Sequence, residues 1–145
     1  MQIKAYGAES WLFPNSCGGA DRAKLHTARN SYANVQLKVE NFKKSAVWSL
    51  KFEGNAFKDI RLYRLLRVTV NRNSDFFEPL DTESRTRAEL EKYFTKKAPF
   101  EVYDPLEPIE GKTVELPADA LYLSVKIPAD TAPGCYKGVF RLFDG

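Results

Sequence analysis

The sequence predicts an all-β fold: an antiparallel two-sheet β-sandwich, immunoglobulin-like or jelly-roll-like, with one short inserted helix. Three observations predict it. Leu121, Leu123, Val125 and Ile127 alternate with Tyr122, Ser124 and Lys126, the period-two pattern of a half-buried strand. Further runs of this kind recur along the chain, separated by turn-forming residues at roughly eight- to twelve-residue spacing, which is the spacing of a sandwich. Only one stretch, residues 81–94, carries the signals of a helix.

Taken in order, residues 2–6 read as a short edge strand. Residues 10–13 form a second apolar patch carrying Trp11, and Pro14-Asn15-Ser16 with Gly18-Gly19 punctuate a loop. A strand is expected up to about Ala28, then a tight corner at Asn30-Ser31. The next strand covers 32–40, where Val35, Leu37 and Val39 alternate with Gln36, Lys38 and Glu40. Residues 47–53 form a strand with Trp48, Leu50 and Phe52 on one face. These apolar neighbours assign Trp48 to the core rather than to a sugar platform. Gly54-Asn55 is a turn.

The run 60–70 is apolar on both parities. Ile60, Leu62, Leu66, Val68 and Val70 oppose Tyr63 and Leu65, as in a central strand or one that crosses between sheets. Phe76-Phe77 and Pro79 indicate an extended loop. In the helix that follows, Asp81 or Thr82 is the cap, Glu83 favours the positive end of the dipole, and Leu90 and Phe94 form an apolar stripe. A loop of this length with its own helix is unusual in a sandwich and often functional. Pro105 and Pro108 stiffen 102–108, and Asp104 suits a turn back onto its own backbone. Residues 113–116 form a short strand. Pro128 ends the strand 121–127, and Pro133-Gly134 suits a type II turn with positive φ at the glycine. Tyr136, Gly138, Phe140 and Leu142 then share a face of the last strand, which makes a hairpin or a sheet-to-sheet corner with 121–127.

The 145 residues form one domain, 1–145, with 43% hydrophobic and 28% charged residues, as in a soluble globular protein. The net charge of +3 is not gathered on one element; Lys43-Lys44 and Lys96-Lys97 are isolated pairs, so no nucleic-acid partner is expected. No apolar run approaches the roughly 20 residues of a membrane span, and no membrane partner is expected. Aromatic residues, at 13%, suit a β core and a sugar-binding surface equally. Cys17 and Cys135 lack metal-ligand spacing; they are either two unpaired thiols or a bridge closing a long loop. No cofactor or metal is expected, and no catalytic set emerges. His26, the one histidine, reads as a strand residue facing solvent or a partner, and nothing selects a carboxylate pair from the 19 acidic residues.

Three short motifs, each weak alone, stand in a recognisable order. They are Ala28-Arg29-Asn30-Ser31-Tyr32 with Gln36; Asp104-Pro105-Leu106-Glu107-Pro108; and Val125-Lys126-Ile127-Pro128 followed by Pro133-Gly134-Cys135-Tyr136-Lys137-Gly138. Together they resemble the N-terminal β-sandwich domain of glycoside hydrolase family 123 and related bacterial proteins of unassigned function. The resemblance covers residues 25–145. It departs at Ser31, where the family usually carries an acidic residue, which removes one partner for Arg29. Arg29 is then either a corner residue whose fork satisfies backbone carbonyls or a ligand-facing arginine.

The resemblance implies an accessory domain followed by a (β/α) barrel that carries catalysis on an adjacent Asp-Glu couple, aided by the substrate's N-acetyl group. No such dipeptide occurs here, so this chain alone is expected not to be an enzyme. It also implies a bacterial protein, secreted or periplasmic if a leader is removed ahead of Met1. Two roles follow. The domain docks on the barrel of the same chain through Arg29, Tyr32, Asp104, Leu106 and Phe143. Alternatively it holds glycan against exposed aromatics, Phe76, Phe77, Tyr93 and Tyr103. An independent adhesion or interaction module is a third reading.

Overall fold

A computed structural model of the chain describes residues 1–42, 44–73, 96–115 and 118–144. The alternating run near the end becomes β7 (Ala120–Ile127), the middle strand of a five-stranded antiparallel sheet. On one side β7 pairs with β2 (Ser31–Glu40), which pairs with the edge strand β1 (Gln2–Gly7). On the other side lie β4 (Ile60–Val70) and the second edge strand, β5 (Phe100–Pro108). The second sheet has three strands, with β3 (Ala46–Phe52) between the short β6 (Thr113–Val114) and β8 (Gly138–Asp144). A short 3-10 turn, Glu53–Asn55, follows β3 and is kinked at Gly54, whose left-handed φ of 67° suits a glycine. Among the described residues no helix is long and apolar enough to cross a membrane.

The core lies between the sheets, as the alternation requires. Val35, Leu37 and Val39 of β2, Leu121, Leu123, Val125 and Ile127 of β7, and Leu62 of β4 are buried from one side. Trp48 meets them from the other, with Leu50, Phe52, Phe140 and Leu142 packed around it. Trp48 stacks on Phe140 with ring centroids 6.4 Å apart, and its Nε1 donates to the Gly111 carbonyl at 3.1 Å. A buried indole with its N–H satisfied is a core residue, as its neighbours in sequence predict.

Four details differ from expectation. Residues 22–28 form no strand, and every residue from 21 to 30 is exposed, including Leu25, the one large apolar side chain in that stretch. In β4, Leu65 is buried but Leu66 and Val68 are exposed, at 37% and 36%. The register with β5 is irregular beside Leu66. Leu65 pairs with Leu106 and Arg67 with Tyr103, so Leu66 alone opposes Asp104 and Pro105. That is a β-bulge on β5, and it reverses the alternation of β5, so that Leu106 and Tyr103 fall opposite Leu65 and Arg67 of an unbroken β4. Asp104 accordingly lies within a strand and forms no turn, and Pro105 and Pro108 are accommodated because β5 is an edge.

The chain passes from β7 to β8 as a corner between sheets, and Gly134 is not among the positive-φ residues, so no type II turn forms there. The corner is held by Tyr136, whose hydroxyl donates to the Ala132 carbonyl at 2.8 Å and whose ring meets Phe57 edge-on at 5.0 Å. The short strand is described at Thr113–Val114, and Leu116 lies outside the described residues. The helix expected over 81–94 lies outside the described residues. Cys17 and Cys135 are free and exposed.

Candidate binding cleft

The side chains that alternate with the core residues of β1, β2, β7 and β4 lie on the far face of the five-stranded sheet. Register places Tyr6, Gln36, Tyr122 and Tyr63 in one row across these four strands. Tyr63 and Tyr122 meet edge-to-face with centroids 6.3 Å apart. Such a row would be an exposed aromatic stripe, but residues 8–16 fold back over part of it.

Gln36 holds that loop down. It is only 6% exposed, and its Nε2 donates to the carbonyls of Gly7 at 2.9 Å and Ser10 at 2.7 Å. Lys38 Nζ donates to the Ser16 carbonyl at 2.6 Å, the Ser16 Oγ accepts from Phe13 N at 2.9 Å, and Tyr103 N donates to the Leu12 carbonyl at 3.1 Å. With the loop pinned at these points, Leu12 enters a second small core with Leu65, Tyr103 and Ala120, flanked by Tyr6 and Tyr122. Its neighbour Trp11 is left 61% exposed. Burying Leu12 puts the next side chain outward, so the loop displays an indole at its rim.

Beside that rim is a shallow cleft of about 350 Å³, walled by Glu9 and Trp11 from the loop, Gln36 and Tyr122 from the sheet, and Asp104 and Leu106 from the bulged edge strand. Under it, Tyr103 donates from its hydroxyl to Asp119 Oδ2 at 2.6 Å. Arg67 pairs with Asp119, approaches Glu101 at 3.5 Å, and lies 5.7 Å from the Tyr103 ring centre. Burial pushes the Tyr103 phenol far above its ordinary range, and the Asp119 hydrogen bond adds to it. Burial also acts to raise the Asp119 carboxyl, but the hydrogen bonds from Arg67 and Tyr103 outweigh it and hold the group below its usual value. Burial raises Tyr122 as well, with the nearby Tyr63 adding to the effect. Tyr103 and Tyr122 are therefore neutral phenols at ordinary pH.

The expected ligand platform is corrected at Tyr103. The residue is 3% exposed and its hydroxyl is engaged, so its ring offers no face for stacking. Phe76, Phe77 and Tyr93 lie outside the described residues. Of the expected docking residues, Arg29 is exposed, and the corner beside it is tied instead by Ser31. The Ser31 hydroxyl bonds to Thr27 Oγ1 at 2.7 Å and donates to the Ala28 carbonyl. Tyr32 is exposed opposite Lys126 on the edge of the same corner. Asp104 and Leu106 wall the cleft. Phe143 is exposed on the other sheet, paired with Val47 and alternating with the core residue Leu142. Leu106 and Phe143 thus stand on opposite outer faces of the sandwich and do not share one surface.

Three wall residues, Glu9, Trp11 and Tyr122, carry no mark of a site in the sequence. The available signal was Gln36, a polar residue at the centre of a strand and within the first motif. A second depression of about 590 Å³ lies at the sheet-crossing corner, lined by Phe57, Lys58, Asp59, Lys126, Asp130 and Tyr136 among others. It holds charges of both signs. Comparison of the chain with protein-family models and with curated proteins gives no match.

Proposed function

We propose that the chain is a non-catalytic accessory β-sandwich domain of a carbohydrate-active protein and that it contacts glycan at the cleft beside Trp11. The observation that carries this reading is an exposed indole set against a cleft rich in hydrogen-bond acceptors. A sugar offers C–H faces that stack on aromatic rings and hydroxyls that need acceptors, and this wall supplies both. The cleft also unites residues from two of the three motifs, Gln36 and the Asp104–Leu106 segment, which lie far apart in sequence. The test is a titration with an oligosaccharide panel, followed by tryptophan fluorescence and calorimetry. Trp11→Ala is expected to weaken glycan binding at least about tenfold, within the range for loss of one stacking aromatic, and to leave the melting temperature unchanged. Binding that survives the substitution removes the cleft from consideration.

A second reading, support of a following barrel, draws on a different surface. Val47, Val139 and Phe143 are exposed on the outer face of the three-stranded sheet. Phe143→Asp should then destabilise a chain that carries the barrel and leave the isolated sandwich unaffected. Equal effects in both would end this reading.

A further inference from the structure

The cleft is lined by acceptors and π density, with no cationic residue. Among the described residues, no Lys, Arg or His contributes to its wall, whereas two carboxylates do, Glu9 and Asp104. Neither takes part in an ion pair among the described residues. The nearest basic side chains on β4 are already matched: Arg64 pairs with Glu107, and Arg67 with Asp119 and Glu101. Gln36 donates twice through Nε2, to the Gly7 and Ser10 carbonyls, so its Oε1 is left as a further acceptor in a side chain that is only 6% exposed. Trp11 adds the electron-rich face of an indole, the best side-chain partner for a cation. The depression at the sheet-crossing corner is the internal control. There Lys58 and Lys126 stand among Asp59 and Asp130, and no preference of sign results.

From this placement we infer that the cleft selects a sugar bearing a free ammonium group over its neutral or N-acetylated counterpart. The inference rests on the glycan reading above and adds the class of sugar. An ammonium group brings three donors and a positive charge to a wall that holds two carboxylates and no cation among the described residues. Acetylation removes the charge and two of the donors. The protein as a whole is weakly cationic, at +3, so the attraction is local to the cleft and must shrink as salt is added.

The experiment compares, by calorimetry on the whole chain, a glucosamine tetramer, an N-acetylglucosamine tetramer, and Nα-acetyl-lysine amide. The glucosamine tetramer is expected to bind about tenfold or more tightly than the acetylated one, in line with two weak charge contacts and a cation–π contact. The preference should fall as salt rises, and it should vanish in the double variant Glu9→Gln, Asp104→Asn. Both substitutions are at the surface, and circular dichroism will verify the fold. Equal binding of the two tetramers, or a preference that survives the double variant, overturns the selectivity while leaving the glycan reading in place. Lysine amide binding as tightly as the glucosamine tetramer overturns the sugar as the source of the ammonium group. Failure of both tetramers to bind removes the glycan reading itself.

Discussion

The two faces of the five-stranded sheet bury side chains by different means. The inner face is aliphatic, alternates without a break along β2 and β7, and is covered by a second sheet whose Trp48, Phe140 and Leu142 fill the gap. The outer face is a row of tyrosines and one glutamine, covered only where a loop is tied down at Gly7, Ser10, Leu12 and Ser16. A sheet can cover a whole face because its own backbone bonds are already made. A loop has no such ladder, so it covers only as much as side-chain donors such as Gln36 and Lys38 can anchor. The uncovered remainder is the cleft.

The comparison makes quantitative claims. The largest effect is expected on the inner face: Leu121, fully buried, should lose about 3–4 kcal/mol on change to Ala, through lost burial and a cavity that rigid sheets cannot close. Leu12→Ala on the outer face should lose less, about 1–2 kcal/mol, because a loop can settle into the space. Equal losses in urea unfolding would show that the two covers are equally rigid and would break the contrast.

Acid sensitivity sharpens the same comparison, because the outer face carries a half-exposed ion pair, Arg67 with Asp119. The Asp119 carboxyl is held below its ordinary value in the folded state. Its contribution is therefore present above the unfolded pKa of about 4 and is lost as pH falls through the lower folded value. Between about pH 5 and pH 3 the parent chain should lose stability more steeply than Asp119→Asn, measured by thermal melts. Identical slopes would mean that the carboxyl is not held down by Arg67 and Tyr103. The smallest effect belongs to the bulge: Leu66→Ser should change stability by less than about 0.5 kcal/mol, since Leu66 is 37% exposed. A large loss would place Leu66 inside and contradict the register.

What could be read in the sequence follows the same division. The inner face was legible because burial against a second sheet imposes alternation, and β7, β3 and the core role of Trp48 all follow from it. The bulge in β5 was not, because it depends on which residues face each other: Asp104 and Pro105 look like a turn until they are set opposite Leu66. The loop over the outer face escaped for a related reason. Trp11 and Leu12 are adjacent apolar residues with no period, and hydrogen bonds from distant strands, those of Gln36, Lys38 and Tyr103, tie the loop so that Leu12 goes in and Trp11 stays out. Tyr103 was misplaced as a surface ring because its partner, Asp119, is 16 residues away.

Both margins of the five-stranded sheet are closed to strand addition. On β1, Ala5 exchanges backbone hydrogen bonds with Ala20, at 2.8 and 3.1 Å, so the middle of that edge is occupied by the chain itself. On β5, Pro105 and Pro108 have no N–H, and the bulge between them and Arg67 bends the strand. An extended segment arriving at either margin meets a blocked acceptor–donor pattern rather than an open ladder. Intermolecular β-pairing, the usual first step toward aggregation of exposed sheets, has no template at these two margins.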